Sequence, residues 1–242
     1  MSDSTSDLMQ KLIEQDRALA SELPGAFFDG AHLSLMYAIG HNHTRLNEMD
    51  VFRLIRDHPE LELNVETILR LYDVLTAGTK YDGLGFKSRQ IYVEYGDYFY
   101  ITLPPEETPD AVEALCARYS HLNNPAPEDV DDIFRFLLDF ICIHPMEDAN
   151  GRLSVLLVQV LLRKVGLEMA PFLPFDMVLG KLHLREYQLH ILKASGCFYG
   201  QKPIEYDLFV DFAKELVMES YDILRSACKT YGPIPCSCRR DV

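Results

Sequence analysis

The sequence has no excess of positive charge. Its 23 Lys and Arg stand against 37 Asp and Glu, a formal net charge of −14. Nucleic acid or an anionic membrane would call for a basic footprint, so neither is expected as a partner. No apolar run is long enough to cross a bilayer without charges. The opening stretch, Met1 to Asp7, is polar and lacks the basic-then-apolar order of a secretory leader. The six cysteines are scattered at 116, 142, 197, 228, 236 and 238. Cys116 and Cys142 fall in apolar helical contexts as reduced core residues, and a cytoplasmic chain is expected. Cys236 and Cys238 form a CxC pair in a short tail with no nearby His, a poor pattern for a metal site. There is no internal repeat and no low-complexity linker.

Apolar residues make up 48% of the 242 positions, enough for the core of one large domain or one domain with appendages. Most of the chain has helical spacing. Leu8, Leu12, Leu19 and Leu23 predict a helix over about 7–23, stopped by Pro24-Gly25. A second helix is expected over about 30–39. A third starts at Thr44, with Glu48 in its first turn, and closes at His58-Pro59. Val65, Ile68, Leu69, Tyr72 and Leu75 predict a helix over about 65–77. Further helices are expected over about 109–122 (capped by Thr108), 181–194 and 206–224, with Gly166 as a C-cap between them.

Strand signal is scarce. Arg89 to Tyr95 and Tyr98 to Thr102 are rich in β-branched and aromatic residues, and Gly96-Asp97 between them is a turn signal. One hairpin cannot bury both of its faces alone. It either folds onto a helix or forms a flap whose open edge receives an extended peptide. The fold expected is all-α with one β-hairpin.

The chemistry concentrates in Ile143-His144-Pro145-Met146-Glu147-Asp148-Ala149-Asn150-Gly151-Arg152. Apolar segments flank it on both sides, dense enough to be buried helices. A polar loop held between two core helices is well placed to be a preorganised site. Asn150-Gly151 opens the second helix, whose first N–H groups have no partner inside the helix and suit a phosphate. Ala149 and Gly151 are small and let an anion approach the backbone. Arg152 adds a positive fork. Asp148 can hold Mg²⁺ bridging phosphate oxygens. His144 titrates near neutral pH and can take a proton from an attacking hydroxyl.

This stretch resembles the signature of the Fic family, HxFx(D/E)(G/A)N(G/K)RxxR, carried on a loop between two helices. His144, Asp148, Ala149, Asn150, Gly151 and Arg152 match it, and Pro145 matches the commoner HPF form. Met146 stands where the family has Phe, and Val155 where it has a second Arg that contacts the terminal phosphate. The resemblance covers roughly residues 30–200. It implies a Fic-type helical bundle in which the hairpin, about 89–103, is a flap presenting Ile91, Tyr92 and Val93 to a target protein. Residues 1–29 would be an N-terminal helical extension and 201–242 a C-terminal helix and irregular tail.

By the same resemblance the reaction is transfer of AMP from ATP to a protein hydroxyl. His144 is then the base and Asp148 the Mg²⁺ ligand. Ala149, Asn150, Gly151 and Arg152 hold the nucleotide. Many Fic proteins also carry an inhibitory helix, (S/T)xxxE(G/N), whose Glu pairs with the second Arg. Here Ala38-Ile39-Gly40-His41-Asn42 aligns with its AIEGN form, with Gly40 in place of the Glu. No Glu in the chain precedes Gly or Asn, so the strict motif is absent. Glu48, four residues after Thr44, satisfies half of it and is the one regulatory candidate. Two expectations from different classes stand. The first is a Fic-type transferase of AMP or a related phosphate-containing group. The second, suggested by Met146 and Val155, is a degenerate Fic domain that binds a nucleotide or a partner protein without turnover. A helical scaffold without a ligand would make the polar loop accidental.

Overall fold

The computed structural model describes residues 3–22, 46–95, 98–200 and 202–231. The helix expected over 30–39, the Ala38–Asn42 segment, Thr44, the Gly96-Asp97 turn and the Cys236/Cys238 tail lie outside them. Two helices form the centre, α5 (Val130–Ile143) and α6 (Asn150–Lys164). Both are buried on nearly every side: Ile133, Phe134, Phe136, Leu137 and Phe140 in α5, and Leu153, Leu157, Val158, Leu161 and Leu162 in α6. A helix that is apolar around its whole girth belongs in the middle of a protein. Residues 144–149 join the two helices, which pack on one another along their lengths.

Other helices wrap this pair. α1 (Asp3–Glu22), α2 (Leu46–Asp57) and α3 (Val65–Thr76) precede the hairpin, and α4 (Thr108–Arg118) follows it. α7 (Leu184–Tyr199) and α8 (Asp207–Tyr231) come after the central pair. α4, α7 and α8 contact α5, while α2 and α3 contact α6. α1 joins this core: Leu12 and Leu19 are fully buried. The buried Asp16 carboxylate accepts the Glu168 and Met169 N–H groups at 2.9 and 2.8 Å and the Tyr221 hydroxyl at 2.6 Å. Burial pushes the Asp16 carboxyl pKa above its usual value despite these bonds.

Local chemistry explains the helix ends. Asn64 accepts the Thr67 N–H at 2.8 Å and caps α3. After α6, Gly166 takes φ 95; it donates to Arg163 O at 3.0 Å while Leu167 N–H reaches Leu162 O at 3.1 Å. These two bonds are the Schellman arrangement that Gly at this position permits. Thr108 does not cap α4 as expected. A 3₁₀ turn at Pro105–Glu107 leads into the helix, and the Thr108 hydroxyl donates backward to Pro104 O at 2.9 Å. α7 starts later than expected, behind a π turn at Val178–Leu182, and runs past Ser195-Gly196 to Tyr199. Ser195 is tolerated inside the helix because it is buried with its hydroxyl on Leu192 O, 3.1 Å away. α8 likewise runs past 224 to Tyr231.

The hairpin is antiparallel, β1 (Tyr92–Tyr95) against β2 (Tyr98–Ile101), with Tyr92 opposite Ile101 and Val93 opposite Tyr100. Tyr100 faces inward and is buried, and its ring stacks on Tyr199 of α7 with centroids 6.4 Å apart. Tyr92, Phe99 and Ile101 are exposed on the other face. Residues 89–91 do not extend β1. They form its foot, against the α5–α6 loop.

Candidate active site

The α5–α6 loop is framed by two left-handed residues. α5 stops where His144 turns to φ 52, ψ 63, its N–H donating to Phe140 O at 3.0 Å. α6 starts after Ala149, at φ 64, ψ 11. Among the described residues these are the non-glycine positions with positive φ. Each left-handed residue costs on the order of 1 kcal/mol, so its surroundings must hold it.

Hydrogen bonds supply that hold. The buried Asn150 side chain spans the loop: Nδ2 donates to Met146 O and Oδ1 accepts the Met146 N–H, both at 2.9 Å. Met146 itself is fully buried, so a flexible thioether fills the position where the motif has Phe. Asp148 Oδ1 accepts the Ala149 N–H at 2.7 Å. Glu147 ties the loop to the foot of the hairpin. It accepts Ser88 N–H and Oγ at 2.9 and 3.0 Å and Arg89 Nε at 2.8 Å. Burial would raise its pKa, but these bonds outweigh burial and hold it below the usual value.

The last carbonyls of α5 have no acceptor role inside the helix and need outside donors. Each finds one. Tyr100 Oη donates to Ile141 O at 3.2 Å, and Tyr199 Oη to Cys142 O at 2.5 Å. Lys87 Nζ donates to Ile143 O at 3.3 Å, to His144 O at 2.9 Å and to Thr102 Oγ at 2.9 Å. Lys87 is 3% exposed, and burial pushes its pKa down to about 8, with the Glu147 charge opposing.

His144 is half-buried, and its pKa falls to about 4. Burial is the main cause and the Lys87 charge the next, while Asp148 and the Ile141 carbonyl act the other way. The imidazole is therefore neutral at pH 7. Its Nδ1 is buried without a well-formed hydrogen bond. Asp148 projects toward solvent, its side chain 49% exposed, with Oδ2 at 3.9 Å from Arg152 Nη2. Gly151 is exposed, and a Cβ there would meet no atom within 4 Å. The first turn of α6 is thus open to an approaching anion. Tyr72 of α3 is fully buried beside the Asp148 backbone, and its hydroxyl makes no well-formed hydrogen bond. Burial and the Asp148 charge push its pKa up to about 12.

His144, Asp148, Ala149, Asn150, Gly151 and Arg152 thus meet at one loop–helix junction. Their side chains do not all face outward, since the Asn150 amide is spent on Met146. Val155, in place of the second motif Arg, is buried in α6. Of the flap residues, Ile91 lends its carbonyl to Thr102 N–H and Oγ at 3.2 and 3.0 Å. Tyr92 is exposed and Val93 half-buried. Glu48 lies in the first turn of α2, and its side chain is outside the described residues. The sequence pattern does not single out Lys87, Glu147, Tyr72 or Tyr199 as parts of the site. Nothing in it sets Lys87 apart from a solvated lysine ahead of a hairpin.

No cluster of three or more His, Cys, Asp or Glu among the described residues could hold a metal ion. A lone accessible carboxylate still fits Mg²⁺ that arrives with phosphates, because Mg²⁺ at nucleotide sites keeps waters and takes one or two carboxylates. A cleft of about 640 Å³ lies elsewhere, beside Arg118, His121, Arg135 and Tyr206, and includes no residue of the loop. Its basic side chains already have partners, Arg118 with Asp139, and His121 and Arg135 with Asp132.

Two buried helices, a polar loop braced between them and a hairpin footed on that loop make up the framework of the site. Residues 62–162 match the Fic/DOC family. The fold is shared with a Fic family protein from Desulfovibrio desulfuricans G20 at TM-score 0.66 and 17% identity, over 96% of this chain and 75% of that one. It is also shared with a Fic domain containing signaling protein from Bacteroides thetaiotaomicron VPI-5482 at TM-score 0.61 and 17% identity, over 94% and 96% of the two chains. No curated protein matches the chain by sequence. Over residues 62–162 the chain is similar to the Fic/DOC family, whose members are generally transferases of AMP or other phosphate groups to proteins.

Proposed function

We propose that this protein transfers AMP, or a related phosphate-containing group, from a nucleotide to a hydroxyl side chain of another protein. The observation that carries the reading is the junction itself. A neutral imidazole, an accessible carboxylate and an unobstructed helix N-terminus sit on one loop braced from both sides. His144 accepts the proton of the target hydroxyl as its oxygen bonds to the α-phosphorus, and the bond from that phosphorus to the pyrophosphate oxygen breaks. A pKa of about 4 makes His144 a weak base in the free protein, and phosphate charges brought beside it raise that value toward neutral. The N–H groups at the start of α6 and the Arg152 guanidinium stabilise negative charge on the phosphates. Asp148 is the residue that would hold Mg²⁺, which when bound neutralises phosphate charge. The hairpin, footed on the loop through Ser88, Arg89 and Glu147, holds the target backbone in register with His144.

The test is incubation of the protein with Mg²⁺, a cell lysate and ATP labelled at either the α- or the γ-phosphate. AMP transfer retains the α label alone on a protein, and Asp148→Ala abolishes it. Label from the γ position would redirect the reading to phosphorylation.

A second reading is favoured by two observations: Val155 is buried where a phosphate-contacting Arg is expected, and the Asn150 amide is committed to Met146. On that reading the domain binds a nucleotide or partner without turnover. It predicts a nucleotide-induced thermal shift with no covalent product from ATP, UTP or CDP-choline.

A further inference from the structure

We propose that Lys87 is the positioning residue for His144. Its buried ammonium, clamped on the Ile143 and His144 carbonyls and on Thr102 Oγ, holds the left-handed turn that aims the imidazole and ties that aim to the foot of the flap. A lysine that is 3% exposed gives up hydration worth several kcal/mol, a cost that a residue serving only solubility never meets. All three of its N–H donors are used, and none goes to a carboxylate. Glu147, the carboxylate whose charge reaches it, is bonded instead to Ser88 and Arg89. The cation sits at the C-terminal end of α5, where the helix dipole favours it. Helices that end in a left-handed residue usually place Gly there. Here the residue is His144, whose side chain is needed, so the turn is held from outside.

The clamp reaches the flap through Thr102. Its Oγ donates to Ile91 O at 3.0 Å, and its carbonyl accepts Gln90 Nε2 at 2.7 Å. Lys87 N–H also donates to Pro145 O at 2.9 Å, one residue past His144. A displacement at the base of either strand is therefore carried into the turn at His144. The charged groups facing the imidazole are Lys87 from the hairpin foot and Asp148 from its own loop. β2 and α7 contribute the Tyr100 and Tyr199 phenols on the preceding carbonyls.

The consequence for turnover rests on the transferase reading, whereas the positioning does not, so the experiment reads both. The His144 imidazole of the whole chain is titrated by NMR, its signals identified by their loss in His144→Gln. In Lys87→Met the side chain keeps its length and loses its charge and donors. The ring pKa is expected to rise from about 4 by about 0.5 or more. Turnover is expected to fall roughly 10²-fold with nucleotide Kd unchanged, as for a reacting group displaced by about 1 Å. The lost charge alone raises the pKa, so the aim of the ring is read above about pH 6, where it is neutral in both proteins. A merely structural lysine would lower Tm and leave the folded variant's His144 ring signals and turnover as in wild type; that result overturns the proposal. If Lys87→Met does not fold, Thr102→Val decides. It removes the anchor and keeps the carbonyl clamp, so displaced His144 ring signals support the proposal and wild-type signals overturn it. If wild type transfers nothing, the His144 ring signals in Thr102→Val, which keeps the Lys87 charge, decide whether Lys87 positions His144.

Discussion

Replacing Asn150 with Ala probes how the loop is held. The Asn150 amide makes two 2.9 Å hydrogen bonds to the backbone of Met146, one in each direction. Both residues are buried, at 2% and 0% exposure, so bulk water does not reach the groups left behind. Removing the amide orphans one buried N–H and one buried carbonyl. Each orphan costs about 1–3 kcal/mol, giving about 2–6 kcal/mol in all, with the lower end applying if a water enters the vacated space. For a chain of this size that is a fall in Tm of roughly 10 °C. Urea unfolding followed by circular dichroism measures it, with the slope m checked against wild type so that a change in the denatured state is not mistaken for lost stability. A cost below about 0.5 kcal/mol would refute the reasoning and mean that the loop holds its shape without the Asn150 bridge.

Three further outcomes follow from the same geometry. Gly151→Ala gains up to about 1 kcal/mol of helix propensity and meets no atom within 4 Å, so the free protein's Tm rises, yet its methyl stands where phosphate approaches; a thermal shift by nucleotide equal to wild type would argue against an anion site there. Tyr72→Phe deletes a buried hydroxyl without a well-formed bond and is expected to leave stability unchanged or raised by about 1 kcal/mol in urea unfolding. His144 has a folded pKa of about 4 against 6.5 for the ordinary group, so the unfolded chain binds a proton first as pH falls. Its contribution is intact above pH 6.5 and is lost progressively down to about pH 4, amounting to about 3 kcal/mol; His144→Gln should flatten the stability curve across that window, and parallel curves would contradict the assigned shift.

Periodicity makes the framework legible. α3, α5, α6 and the paired part of the hairpin fall where residue spacing and composition put them, because each buries a face defined within a dozen residues. The motif is legible for a different reason: six polar or small residues at fixed spacing meet in one loop, and a loop is local in sequence. Boundaries set by tertiary contacts are less so. Ser195-Gly196 has the composition of a break, but burial against the core carries α7 through it to Tyr199. Thr108 has the composition of a cap, but the 3₁₀ turn before it already supplies the helix start. The groups that brace the site come from far along the chain. Lys87 is 57 residues from His144, and Tyr199 is 57 from Cys142. No local pattern separates such a residue from a solvated lysine or a surface tyrosine. Asn150 shows the reverse, since its place in the motif points to the nucleotide while its side chain faces Met146.

The most direct test of the account is to measure nucleotide binding and covalent transfer together in wild type and His144→Ala. The α5–α6 junction as a transfer site predicts the same nucleotide Kd in both proteins, with α-phosphate label moving onto a target protein in wild type and at least roughly 10²-fold more slowly in the variant. Equal labelling by the two proteins would remove His144 from the chemistry. Binding by both with no transfer by either would leave a domain that holds its ligand and does not turn it over.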